Sequence, residues 1–157
     1  MLAAGAYEEP AAIEIEDGAE LTLRAAEGGK EAAVTWPATD GIVVRRGTFR
    51  ARDVTLTCGG RDRAVIRAVG PASCAVLERG CALRCFAAGS DASPYPKQVA
   101  ACVVARQGAR VSAADCSFVA ASPLGRGAVC YGGGWFARLL YTQENFRHAA
   151  RIGCKKR

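Results

Sequence analysis

Residues 49–56 read Phe-Arg-Ala-Arg-Asp-Val-Thr-Leu and residues 111–118 read Val-Ser-Ala-Ala-Asp-Cys-Ser-Phe, so one pattern occurs twice, 62 residues apart. In both blocks, apolar or small residues stand at the first, third, sixth and eighth positions, and Asp53 aligns with Asp115. A glycine precedes each block and itself follows a run rich in β-branched residues. The sequence therefore contains an internal repeat, and a repeat restricts the fold class more than any single motif does.

Two further copies of the pattern can be aligned. Residues 76–83 form one of them, with Cys81 and Leu83 at its sixth and eighth positions, and residues 13–23 form a weaker one. The copies begin near residues 21, 49, 76 and 111, at intervals of 28, 27 and 35 residues. The longest interval contains the stretch 88–98, which carries two prolines and two serines. We interpret this stretch as a loop inserted into one repeat.

The local pattern within each copy predicts short β-strands. Apolar and polar residues alternate over three to five positions between Gly, Asp and Arg, which is typical of strands separated by turns. One such unit cannot bury its inward face alone, whereas stacked units form a continuous core. A repeat of about 25 residues has the length of one coil of a β-solenoid. The sequence thus predicts an all-β solenoid of about four to five short coils over residues 12–131.

The composition agrees with a narrow interior in a single domain. The 157 residues include 32 Ala and 18 Gly but only 7% aromatic residues, so small side chains must fill much of the core. Eight cysteines would permit four disulfide bridges, but no secretory signal begins the sequence. We therefore favour reduced, buried thiols and an intracellular or organellar location. No apolar run is long enough to span a membrane.

Residues 44–56 and 104–118 share one order of residue types. An apolar strand is followed by Gly, then by alternating apolar residues and by Asp. After the Asp come Val or Cys, then Thr or Ser, and finally a large apolar residue. In this order the chain resembles right-handed parallel β-helix proteins of the pectin-lyase-like group, of a non-catalytic type. The resemblance covers residues 12–131 and concerns the fold far more than the function. It implies that Asp53 and Asp115 lie at bends between strands.

The same resemblance implies where the cysteines lie. An inward-facing stack would hold Val54, Cys81 and Cys116, and a second would hold Cys102 and Cys130. Both stacks would be structural elements of a core built from small residues.

Neither catalysis nor metal binding is predicted from the sequence. A β-helix enzyme that acts on carbohydrate needs clustered acids, but the coil between Asp53 and Asp115 has Gly80 at the equivalent position. Cys81 and Cys85 lack a second chelating pair and a nearby histidine, so a zinc site is not expected. We predict no catalytic residue, no metal and no cofactor.

The two ends of the chain differ in charge. Residues 1–31 carry a net charge of −6 and residues 132–157 carry +5, which permits attraction within the chain or between copies. We treat residues 1–11 as an N-terminal extension and 132–157 as a basic cap or tail, in which a short helix would fit. This segment is also the candidate partner-binding site. Its candidate residues are Trp135, Phe136, Arg138, Tyr141, Arg147, Arg151, Lys155 and Lys156.

Together these observations favour a non-catalytic binding or assembly module, an accessory subunit docked to a protein partner through its loops and basic C-terminal segment. The alternative is a β-helix that binds or degrades an acidic glycan along an arginine-lined face, and nucleic acid is the less favoured ligand. The arginines considered for such faces are Arg50 and Arg52 in one coil and Arg106 and Arg110 in another.

Overall fold

The structure is a computed structural model that describes residues 1–26, 31–60, 63–86, 101–120, 126–131 and 135–137; from residue 120 onward only the backbone is described. Within these ranges the chain forms β-strands and no helix. The strands are β1 (Gly5–Glu8), β2 (Ile13–Ile15), β3 (Ala19–Arg24), β4 (Ala32–Trp36), β5 (Ile42–Val44), β6 (Gly47–Arg52), β7 (Val54–Gly59), β8 (Ala64–Val69), β9 (Ser73–Leu77), β10 (Ala82–Phe86), β11 (Ala101–Arg106), β12 (Arg110–Ala113), β13 (Ser117–Ala120), β14 (Arg126–Tyr131) and β15 (Trp135–Ala137).

The described strands form three parallel sheets, each of which takes every third strand. Sheet 1 has the order β1-β4-β7-β10-β13, sheet 2 has β2-β5-β8-β11-β14, and sheet 3 has β3-β6-β9-β12-β15. The chain thus visits sheets 2, 3 and 1 in succession and then repeats, so that three consecutive strands make one turn. This all-β, parallel arrangement is the one expected of stacked repeats in a β-solenoid.

Side chains that point inward form rows across the turns. In sheet 1 one row runs through Val34, Leu56, Leu83 and Phe118, which lie opposite one another in register and are all buried. Because successive residues of a strand point to opposite faces, residues two apart supply the core and those between them face outward. The rows of sheet 3 include alanines, so the prediction of a core rich in small side chains is confirmed.

The predicted bends at Asp53 and Asp115 are confirmed. Both residues have a positive φ, near 53° and 52°, and Gly80 has a φ of 82° at the same corner of the intervening turn. The Asp53 N–H donates to the Arg79 carbonyl oxygen at 3.1 Å, and the Gly80 N–H donates to the Asp115 carbonyl oxygen at 3.2 Å. Left-handed backbone at this corner therefore lets these three turns change from sheet 3 to sheet 1.

The alignment of the third copy needs one correction. Leu83 lies opposite Leu56, as predicted, but Phe49 pairs with Ala75, one residue before the predicted start at 76. The difference arises at the corner, where three residues, 78–80, separate Leu77 from Cys81. Only two residues separate the equivalent positions Ala51 and Val54, or Ala113 and Cys116. The additional residue is accommodated in the bend, so the inward rows stay in register on both sides of it.

Parallel pairing extends on both sides of the predicted repeat region, residues 12–131. Within the expected N-terminal extension, β1 pairs with β4, and within the expected cap, β15 pairs with β12. The helix that would fit after residue 132 is not present at residues 135–137, which form a strand, since pairing with β12 provides partners for their backbone. Residues 138–157 lie outside the described residues.

Candidate interaction surfaces and buried thiols

The structure describes only part of the docking surface that the sequence predicts. Trp135 and Phe136 lie on β15, opposite Arg110 and Val111 of β12. The loop 88–98 and the other candidates lie outside the described residues, so docking through them stays a prediction. Those other candidates are Arg138, Tyr141, Arg147, Arg151, Lys155 and Lys156.

An exposed end of the stack lies at the open first turn, which we define as β1, β2 and β3. Among the described strands, each of these three pairs with a neighbour on one side only. Ile13 and Leu21 pack against the core but remain partly exposed, whereas their register partners Ile42 and Phe49 are fully buried. Leu2, Tyr7 and Leu23 are also partly exposed apolar side chains at this end.

Acidic side chains of the open first turn form ion pairs with arginines of the next turn. The pairs are Arg45 with Glu16 at 3.1 Å and Glu14 at 3.7 Å, Arg46 with Asp17 at 3.1 Å, and Arg50 with Glu20 at 2.8 Å. All these side chains are exposed, so each pair contributes about 0–1 kcal/mol. The acidic start of the chain thus attracts the turn beside it.

The outward face of sheet 3 carries several arginines. Arg50 and Arg52 alternate with buried residues along β6, Arg24 lies beside Arg52 on β3, and Arg110 projects from β12. Of the arginines considered for glycan binding, Arg50, Arg52 and Arg110 share the outward face of sheet 3, and Arg106 ends β11 in sheet 2.

Cys81 and Cys116 form the predicted stack with Val54, and all three side chains are buried. The Ser117 N–H donates to the Cys81 carbonyl oxygen at 2.9 Å, which holds the two cysteine-bearing segments side by side. Hydrogen bonding between the thiols, together with burial, raises the pKa of Cys81, and the same hydrogen bond lowers the pKa of Cys116. The stack is a core element, as predicted.

The second predicted stack is different in the structure. Cys130 lies opposite Ala105, three residues along β11 from Cys102, because the register of β14 is displaced from the predicted one. The Cys102 thiol instead contacts Cys85 across a corner, with 3.8 Å between the two Sγ atoms. Cys102 also donates to the Leu83 carbonyl oxygen at 3.3 Å. The structure thus defines a Cys85–Cys102 pair that the repeat alignment did not reveal.

The remaining described cysteines differ in exposure. Cys58 is buried in the row that contains Cys85, and its thiol donates to the Thr39 carbonyl oxygen at 3.0 Å. Burial raises the pKa of Cys58 to about 12. Cys74 lies on the outward face of β9 and is half-buried. The six cysteines whose side chains the structure describes are free thiols.

One ion pair is well shielded from solvent. Arg67 Nε donates to Asp40 Oδ2 at 2.8 Å, and its terminal nitrogen donates to Oδ1 at 3.0 Å. Oδ1 also accepts the Ala64 N–H at 2.7 Å. The carboxylate of Asp40 therefore ties the corner before β5 to β8 of the next turn. Sequence reasoning missed this contact because its partners are 27 residues apart.

Within the described residues, no three His, Cys, Asp or Glu side chains are grouped so that they could hold a metal ion. The same part of the chain has no helix that is long and apolar enough to cross a bilayer. Comparison of the chain with protein-family models, curated proteins and solved structures gave no significant match. Conclusions about function therefore depend on the surfaces themselves.

Proposed function

We propose that the chain is a non-catalytic binding and assembly module, an accessory subunit of a larger protein complex. In this proposal the fold is a right-handed parallel β-helix of the pectin-lyase-like type with about four to five coils. The three parallel sheets support it, since connections between parallel strands of one sheet are right-handed in about 98% of cases.

The observation that carries the proposal is the open first turn. Strands with one unpaired edge present backbone donors and acceptors that a further strand can use. Beside these edges, Ile13 and Leu21 expose part of the apolar surface that the same rows bury completely one turn later. Unpaired edges and half-covered apolar rows together form a template for strand addition.

The partner that fits this surface is an extended protein segment. Every second side chain of such a segment would point into the core and should be apolar, to continue the rows of Ile13 and Leu21. The intervening side chains would lie beside the acidic residues of the open first turn, so basic residues suit those positions. The predicted loop 88–98 and basic C-terminal segment would supply a second contact with the same partner.

The experiment is a native pull-down from the source organism, with size estimation and mass spectrometry of the proteins that co-elute. It compares Leu21→Lys with the matched control Thr22→Lys, which places the same charge on the outward face of the same strand. We expect Leu21→Lys to lose the partner at least tenfold more than Thr22→Lys, which corresponds to about 1.4 kcal/mol of binding free energy. Urea unfolding of both variants verifies that the fold is intact.

Equal partner recovery with both variants, or elution of the wild-type chain alone, would contradict docking at the open first turn. Binding of an acidic glycan would then be the favoured function, because four arginines share the outward face of sheet 3. They are Arg24, Arg50, Arg52 and Arg110. An acidic glycan bound there should dissociate at high salt and be weakened by Arg110→Gln.

A further inference from the structure

The Cys85–Cys102 pair lies beside the longest connection between consecutive described strands. Cys85 is the penultimate residue of β10, and Cys102 is the second residue of β11. Five residues connect β4 to β5 and four connect β7 to β8 at this corner, but fourteen connect β10 to β11. The two thiols are therefore in contact next to the two ends of this fourteen-residue connection.

The contact between these thiols is direct. Their Sγ atoms are 3.8 Å apart, and both side chains are buried. A disulfide bond needs the two sulfurs to come within about 2.05 Å, an approach that side-chain rotation and a small shift of the corner can supply. Cys58, which lies opposite Cys85 in the adjacent strand, instead directs its thiol to the Thr39 carbonyl oxygen.

The two sulfurs also differ in acidity. The Cys102 thiol has three acceptors within reach: the carbonyl oxygens of Leu83 and Val119, at 3.3 and 3.4 Å, and the Cys85 sulfur at 3.8 Å. Its hydrogen bond to Cys85 lowers the pKa of Cys85 and raises that of Cys102. The thiolate is the attacking form in thiol–disulfide exchange. Cys85 is accordingly the thiol that attacks first, and Cys102 is the one that resolves.

We propose that Cys85 and Cys102 are an oxidation site at which a small disulfide, such as oxidised glutathione, oxidises the two thiols to an intrachain disulfide between β10 and β11. The Cys85 thiolate attacks one sulfur of the oxidised glutathione and releases one glutathione thiolate, which leaves a mixed disulfide. Cys102 then loses its proton and attacks Cys85 Sγ, which releases the second glutathione. In sum, two protein thiols are oxidised to one disulfide, and one oxidised glutathione is reduced to two thiols.

Burial of both sulfurs sets the rate of this reaction. The oxidant reaches Cys85 only when the corner between β10 and β11 opens locally, so the bond forms slowly in the folded protein. Once formed, it makes residues 86–101 part of a closed covalent ring. This site is independent of the open first turn, because it lies on later turns of the stack.

The test is to incubate the full reduced chain under native conditions with oxidised glutathione, alkylate the remaining thiols, and digest with trypsin without reductant. Cleavage after Arg84, Lys97 and Arg106 gives the peptides 85–97 and 98–106, which contain Cys85 and Cys102 as their only cysteines. We expect mass spectrometry to find these two peptides joined, and reductant to separate them. Incubation with reduced glutathione is the control and should leave them separate.

Matched variants identify the reacting pair. Cys102→Ser should leave Cys85 either alkylated or joined to glutathione, whereas Cys116→Ser should form the 85–97 to 98–106 bond as the wild type does. Wild-type peptides that stay separate after oxidation would overturn the proposal. So would a preferred bond between Cys81 and Cys116, whose peptides 80–84 and 111–126 differ in mass from the expected pair. The digest of the wild-type chain distinguishes these outcomes even where a variant fails to fold.

Discussion

Single residues at the corner between sheets 3 and 1 meet a strict conformational requirement. Asp53, Gly80 and Asp115 all adopt left-handed backbone there, and they follow one another in successive turns. A Cβ atom added to Gly80 would lie 2.1 Å from Asp53 Oδ1, too close for any contact. The match of Asp53 with Asp115 is visible in the sequence. The need for glycine between them is not, because it arises only when the turns stack.

Gly80→Ala should therefore destabilise the protein in two ways. A left-handed conformation costs a non-glycine residue about 1–2 kcal/mol, and the contact with Asp53 adds about 1–3 kcal/mol of overpacking. Gly18→Ala is the matched control, because Gly18 has a similar φ of 80° but nothing within 4 Å of the added Cβ. Urea unfolding of the two variants measures the difference. Equal losses of unfolding free energy would show that the Asp53 contact is relieved at no cost.

In some of the strands, alternation of side chains was sufficient to predict which residues face inward. The row through Leu56, Leu83 and Phe118 follows directly from the repeat, since the period of two fixes the buried face. Two features depended on pairing between distant strands and could not be predicted. One is the start of the copy at Ala75, which is displaced by the longer bend at 78–80. The other is β15, where pairing with β12 prevails over the helix-forming residues that follow it.

Leu83→Ala tests how strongly one inward position of β10 stabilises the stack. Leu83 is fully buried between Leu56 and Phe118, so its truncation should lower the free energy of unfolding by about 2–5 kcal/mol. Arg84→Ala is the control on the same strand, because Arg84 is exposed and its truncation should change stability by about 0.5 kcal/mol or less. Chemical denaturation checks both values. A comparable loss with Arg84→Ala would mean that the outward face of sheet 1 carries a contact of its own.

For the molecule as a whole, the repeat predicted the all-β architecture but not the candidate sites. The open first turn depends on which strands lack a neighbour, and the Cys85–Cys102 pair depends on which cysteines meet at a corner. Neither property follows from composition. The open first turn results from the pairing of strands more than twenty residues apart, and the cysteine pair results from how β10 and β11 meet at a corner. Charge was informative in another way: the acidic first residues attract the arginines of the next turn.

Stacked turns contact only their neighbours, so local stability should vary along the stack. We expect backbone amides of the open first turn to exchange with deuterium at least tenfold faster than those of β7 and β8, which have a paired strand on both sides. Native-state hydrogen exchange followed by mass spectrometry measures this gradient. Uniform exchange in all turns would indicate that the stack opens as one cooperative unit, and a bound partner strand should slow exchange in the open first turn.

The three-residue bend at 78–80 has a consequence for how such a chain can vary in length. A residue inserted within a strand would turn every following side chain of that strand to the opposite face. Here one additional residue is taken up at a corner, and Leu83 still lies opposite Leu56. The corners are thus the positions at which an engineer could graft a foreign peptide or an epitope. The strands on either side would keep their register.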